Sequence, residues 1–190
     1  NHELATAPEF TAMFIGEAKL VADLVHPNIV QIYQLARQGS KYYICMEFIE
    51  GVDLRHFLAR HHGSPVPSDI ATFIVSRVAR ALEYAHRKRD RQGNLLGIVH
   101  RDISPKNIMI TSEGEVKLTD FGMAKTAKLL EDPEQGIMGS VEYMSPEQVR
   151  GLDTAATSDI FSLGLVYYEL LTGVSALAAD ELSATLTRLL

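Results

Sequence analysis

Apolar residues recur at helical spacing from 9 to 25, where Phe10, Phe14, Ala18, Val21 and Val25 form one stripe behind Pro8 and Glu9. That spacing predicts a helix with a single buried face, broken by "HPNIV". The pattern then shortens. Residues 29–35 and 41–48, "IVQIYQL" and "KYYICMEF", are rich in β-branched and aromatic residues and flank "RQGS", as two antiparallel strands would. Glu50 and Gly51 end that sheet, and a lobe boundary is expected there. Beyond it the period is mostly helical: 53–61, then 69–88 behind a Ser68 cap, with Ile70, Phe73, Ile74, Ala81, Leu82 and Ala85 on one face. "DRQGNLLG" reads as a turn, and 108–111 with 115–119 as a hairpin around "SEG". Residues 158–172 are apolar nearly all round and stop at Gly173, which predicts a helix buried on every side.

Composition narrows the class. A chain of 190 residues, 46% hydrophobic, has enough apolar material for one folded domain. Its formal charge of -6 argues against a general nucleic-acid or membrane-surface binder, because both need excess Lys and Arg. The basic run "RKRDRQ" at 87–92 reads as a solvated helix end. One cysteine, Cys45, excludes an internal disulfide framework and fits a reducing compartment. No signal-peptide pattern is visible, and the most apolar stretch is too short to span a bilayer and carries Glu169, so a cytoplasmic chain is expected.

The concentrated chemistry lies in "GIVHRDISPKNIMI", residues 97–110. His100, Arg101, Asp102, Lys106 and Asn107 occupy a loop that leaves the long helix and enters the hairpin, and the hairpin ends on Asp120 of "DFG". A carboxylate able to accept a proton, with an Asn and an Asp able to hold a hard cation through oxygen, is the equipment of metal-assisted phosphoryl transfer. The bland alternative is a set of turn-forming Asx residues, but turn chemistry predicts no relation among the three. Adjacent His61 and His62 do not share a helix face and read as a loop pair rather than metal ligands.

Order and spacing resemble the eukaryotic-like, bacterial-type Ser/Thr protein kinases. "HRDISPKN" resembles the catalytic loop, "DFG" the metal-binding turn, "GSVEYMSPE" (139–147) the end of the activation segment, and "SDIFSLG" (158–164) the start of the central helix. "EAKLVADLVHPNIVQIY" (17–33) is similar to the regulatory helix with its following strand, and "YICMEFIEG" to the hinge.

The resemblance implies an α+β, protein-kinase-like fold: a partial small lobe of one helix plus antiparallel strands, and a mostly helical large lobe. Residues 1–46 would be the small-lobe remnant, 47–51 the hinge and 52–190 a partial large lobe. Asp102 would be the catalytic base, with Asn107 and Asp120 holding Mg2+ against ATP. Met46 would be the gatekeeper, the Glu47 and Ile49 backbones would meet adenine, and Met109 would pack beneath it. Glu17 would pair with a phosphate-binding lysine, and Asp159 would brace the catalytic loop. Val21, Ile32, His100 and Phe121 would form the apolar column joining the lobes. A protein substrate follows.

Departures from the family pattern set further expectations. Only sixteen residues precede Glu17, none a lysine, so the glycine-rich loop and strand lysine are not in this sequence. The helices after the central one are also expected to be missing, leaving a chain cut at both ends with little activity alone. A pseudokinase or binding module is the alternative, and a small-molecule phosphotransferase a weaker one, disfavoured by the peptide platform "GSVEYMSPEQ". Ser104 stands where Ser/Thr kinases carry a γ-phosphate-binding lysine. Lys106, four residues after Asp102, stands where tyrosine kinases place an arginine, and is expected to substitute. Arg101 implies control by an activation-segment phosphate. The only Ser/Thr residues between Asp120 and Glu147 are Thr126, Ser140 and Ser145, and Glu131, Asp132 and Glu134 are expected to act as weak stand-ins.

Overall fold

The computed structural model describes residues 21–39, 41–121, 141–177 and 182–189. Two small antiparallel sheets and a helical layer make an α+β fold. Strands β1 (Ile32–Gln38) and β2 (Lys41–Met46) form the first sheet, and β3 (Gly51–Asp53), β4 (Ile108–Thr111) and β5 (Val116–Leu118) the second, in the order β3-β4-β5. The helices are α1 (Leu54–Arg60), α2 (Ser68–His86), α3 (Pro146–Val149), α4 (Ala156–Thr172) and α5 (Leu182–Leu189).

Several expectations shift, each for a local reason. Of the helix expected over 9–25 only its tail lies in the described residues, helical through 22. The chain then turns, with Leu24 N–H on Val21 O, so Val21 stays buried while Val25 is 69% exposed. Ile29 belongs to no β1 ladder. It bridges Leu118 instead, and Val30 N–H donates to Leu118 O at 2.9 Å, tying the entry of the first sheet to the second. Gly51 does not end a sheet but begins β3, paired with Thr111. A Cβ at Gly51 would meet Ile110 O at 2.1 Å, so the close approach requires glycine.

Helix α1 starts on a side-chain cap, Asp53 Oδ1 accepting from His56 N–H at 2.7 Å. Helix α2 does not: Pro67 is the cap residue, and Ser68 is already helical. The buried face of α2 is Ala71, Ile74, Val78, Ala81, Leu82 and Ala85. Ile70 and Phe73 fall outside it, and Phe73 instead carries the Arg77 guanidinium over its ring at 4.7 Å.

Helices α2 and α4 pack together, and their apolar stripes join Leu54, Ile103, Ile108 and Leu118 in one core. Burial of α4 is one-sided among the described residues. Ser158, Asp159, Ser162, Leu163, Val166 and Leu170 are inside, whereas Ile160 and Tyr168 are about half exposed. Helix α4 ends as expected at Gly173 (φ 78), whose absent side chain admits Gly63 O.

Candidate active site

The loop between α2 and β4 contains no regular structure except one 3-10 turn, Pro105–Asn107, so its shape depends on tertiary hydrogen bonds. Asp159, 1% exposed at the start of α4, supplies three of them. Its Oδ2 accepts from His100 N–H and from His86 Nε2, both at 2.8 Å, and its Oδ1 from Arg101 N–H at 2.8 Å. Gln148 of α3 closes the other side, donating Nε2–H to Arg101 O at 2.7 Å. Held at both ends, Arg101 adopts a left-handed backbone (φ 69), which a side-chain-bearing residue takes only under such restraint. Asp159 thus sits where it was expected to brace the loop. His86 lies in no motif, and Gln148, though it ends "GSVEYMSPEQ", gave no sign of a bond to the loop, so sequence reasoning missed both.

His100 is fully buried and faces inward. Its Nε2–H donates to Thr119 O at 2.8 Å, its Nδ1 accepts from Asp102 N–H at 3.2 Å, and its ring packs on Phe121 at 4.6 Å. One tautomer satisfies both bonds, linking the loop to the "DFG" turn. Phe121, Val21 and Ile32 line a small apolar cavity together with Met46 and Asp120. Asp120 is exposed, in left-handed backbone (φ 62).

The reactive cluster is compact. Asn107, 3% exposed, donates Nδ2–H to Asp102 O at 2.7 Å and to Asp102 Oδ2 at 2.9 Å. Both amide hydrogens are thereby used, and Oδ1 has no protein partner among the described residues. Lys106 Nζ lies 3.1 Å from the same Asp102 Oδ2. Ser104 is 1% exposed and its Oγ has no hydrogen-bond partner among the described residues. The structure therefore brings Asp102, Lys106 and Asn107 together. No three His, Cys, Asp or Glu residues cluster as a metal site among the described residues. The Asn107 Oδ1 and the exposed Asp120 carboxylate nonetheless offer hard-oxygen donors of the kind Mg2+ takes with phosphates.

At the β2–β3 connection, Glu47 N–H donates to Gln31 O at 2.8 Å, and Glu47 Oε1 pairs with Lys117 Nζ at 2.6 Å. Gln31 N–H donates to Glu47 Oε2 at 3.2 Å. Burial pushes the Glu47 carboxyl up, but the Lys117 bond and charge and the Gln31 N–H outweigh it and hold it below the usual range. Met46 is 40% exposed, Ile49 follows on the same segment, and Met109 is half-buried in β4 opposite Asp53. Glu17 lies outside the described residues, as do Thr126, Glu131, Asp132, Glu134 and Ser140.

Below the loop, Tyr143 donates its hydroxyl to Glu169 Oε2 at 2.5 Å. Burial pushes the Tyr143 phenol up, and burial with nearby Glu142 raises the Glu169 carboxyl. Glu147 accepts from the Ser158 hydroxyl, which leads the causes lowering its pKa.

The bracing from α4, the "DFG" turn and the catalytic loop define a protein-kinase fold. Residues 3–188 match the protein kinase domain, and the chain belongs to that family. It is 41% identical over 98% of its length to the tyrosine-protein kinase MasK of Myxococcus xanthus, covering 29% of that protein. Over 90% of its length it is 39% identical to the serine/threonine-protein kinase PrkC of Bacillus subtilis, covering 25% of it. Among solved structures, the kinase domain of Mycobacterium tuberculosis PknI matches with a TM-score of 0.72 at 27% identity, over 94% of this chain and 63% of that one. The chain spans less than a third of the length of these two curated relatives. Among the described residues no helix is long and apolar enough to cross a membrane.

Proposed function

We propose that this chain carries the catalytic-loop half of a cytoplasmic protein Ser/Thr kinase, with residues 1–46 from the small lobe, 47–51 as hinge and 52–190 from the large lobe. The hydrogen-bonded cluster of Asp102, Asn107 and Lys106 is the observation that carries this reading. Asp102 orients a substrate hydroxyl and accepts its proton as the γ-phosphoryl group of ATP is transferred. Asn107, fixed through both amide hydrogens with Oδ1 left over, and Asp120 are the oxygen donors for Mg2+, which when bound neutralises phosphate charge. Lys106 supplies the cation that Ser104 cannot. Met46, the Glu47 and Ile49 backbones and Met109 line the adenine site, and Glu17 is the acidic partner of a phosphate-binding lysine.

A second reading, phosphorylation of tyrosine, draws on Lys106 standing where tyrosine kinases place an arginine and on the likeness to MasK. The test is Mg2+-dependent phosphoryl transfer from ATP to Ser, Thr and Tyr peptides, by this chain and by a chimera with a glycine-rich loop and strand lysine placed ahead of it. Transfer to Ser or Thr that Asp102→Asn abolishes is the expected result. Transfer confined to Tyr would select the second reading, and no transfer by the chimera would leave a binding module.

A further inference from the structure

A cleft of about 470 Å³ lies where the segment carrying His26 meets the C-terminal end of α2 and the turn that follows it. It is lined by His26, Arg80, Glu83, Tyr84, Arg87, Lys88 and Arg89. Four cations meet one carboxylate there, in a chain whose formal charge is -6. Among the described residues only Arg87 of these is charge-paired, to Glu83 at 2.9 Å on the open surface, where such a pair contributes little.

The other cations meet neutral groups. Lys88 Nζ donates to Asp23 O at 2.9 Å and to the Tyr84 hydroxyl at 3.1 Å. Arg89 donates to Gly93 O at 2.6 Å. Arg80 has no hydrogen-bond or ion-pair partner among the described residues. The bonds of Lys88 and Arg89 hold their charges in place without neutralising them, and the Arg80 charge is left unneutralised among the described residues.

The helix dipole accounts for part of this arrangement, since cations favour a helix C-terminus, but that effect fades within the last turn. Arg80 stands six residues before the end of α2 at His86, beyond its reach. The walls are also pre-formed. His26 and Tyr84 stack at 5.2 Å. The loop carrying Arg89 is tied by Asp90, whose Oδ1 accepts from Gln92 and Asn94 N–H and whose Oδ2 accepts from Asn94 Nδ2, and by the Arg89–Leu95 bridge. Burial, then the Arg80 charge, lowers the His26 pKa, so the imidazole adds a neutral wall and a ring donor at neutral pH.

We infer that this cleft binds a phosphorylated Ser or Thr side chain on a peptide, with Arg80 and Arg89 meeting the phosphate and Lys88 beside them. A phosphomonoester is a compact near-dianion whose oxygens suit guanidinium forks. The small number of cations, Arg80, Lys88 and Arg89, with Glu83 among the same lining residues, suits one such group rather than an extended polyanion.

The chain itself serves for the test, by calorimetry with a synthetic phosphothreonine peptide, the same peptide unphosphorylated, and inorganic phosphate. The phosphopeptide should bind at least about tenfold more tightly than either comparator, and Arg80→Gln or Arg89→Gln should each weaken it by about tenfold. Both arginines are exposed, so the variants should keep the circular dichroism of the parent. Asp102→Asn should bind normally, which separates this site from the kinase reading. Equal binding of the two peptides, equal binding of inorganic phosphate, or unchanged affinity in Arg80→Gln would overturn the inference.

Discussion

At the scale of single residues, the pairing of Lys106 with Asp102 makes the clearest demand. Loss of one cation that stabilises transferring charge costs roughly 3 kcal/mol, or about a hundredfold in rate. In the chimera that completes the small lobe, Lys106→Ala should therefore lower kcat by about a hundredfold with a much smaller change in the KM for ATP, and Lys106→Arg should keep most of the rate. Full activity in Lys106→Ala would show that the lysine serves only the surface. Glu169 makes a different demand. Its carboxyl is raised by burial and by Glu142, so the folded state holds that proton more tightly than the unfolded chain does. The stability this contributes is complete below the ordinary carboxylate pKa and is lost as pH rises through the folded value. Glu169→Gln, still able to accept from Tyr143, should be more stable than the parent at neutral pH, with the gain vanishing in acid. Urea unfolding at several pH values measures this, and a pH-independent difference would contradict it.

Elements are decided at their ends. Helix α1 begins after Asp53, which accepts a backbone N–H, while α2 begins at Ser68 after Pro67, which has no side-chain cap bond. Asp53→Ala should cost about 1 kcal/mol and Ser68→Ala only a few tenths, readable as shifts in urea midpoint; equal costs would show that Ser68 caps α2 as Asp53 caps α1. At the other end of the helical layer, Gly173 has φ 78, and a Cβ there would fall 2.0 Å from Gly63 O. Gly173→Ala should destabilise by more than about 1 kcal/mol, through both the backbone and the contact.

Across the molecule, the Glu47–Lys117 ion pair straps the exit of the first sheet to the second, with both side chains largely shielded at 25% and 13% exposure. Because the Glu47 carboxyl is held low, its contribution is present above the ordinary carboxylate pKa and is lost as pH falls through the lower folded value. Lys117→Met removes the lysine bond and charge and leaves burial, which acts in the opposite direction. The stability difference between parent and variant should be largest near neutrality and shrink in acid. In the chimera, Lys117→Met should also raise the KM for ATP more than it lowers kcat, since it frees the backbone expected to meet adenine. A larger effect on kcat would place the strap outside the adenine site.

The loop and turn that carry Asp102, Asn107 and Asp120 stood out in sequence because their order and spacing resemble those of the kinase family, and the helices because a buried face recurs at a constant period. The β3 strand was not legible, since three residues carry too short a period, and Gly51 reads as an ending when its backbone approach to Ile110 makes it a beginning. Val25 and Phe73 matched the helical stripe but lie outside it, because where a helix stops and which face meets the core depend on partners elsewhere in the chain. The same reason hid His86, Gln148 and Lys117. Each acts through one hydrogen bond or ion pair across a long sequence separation, and local patterning carries no record of such a partner. The sequence by itself determined which groups could perform the chemistry. Tertiary structure alone decided that Asp159 bends Arg101 into a left-handed backbone and that Lys117 straps Glu47, because those arrangements are made by contacts between segments far apart in the chain.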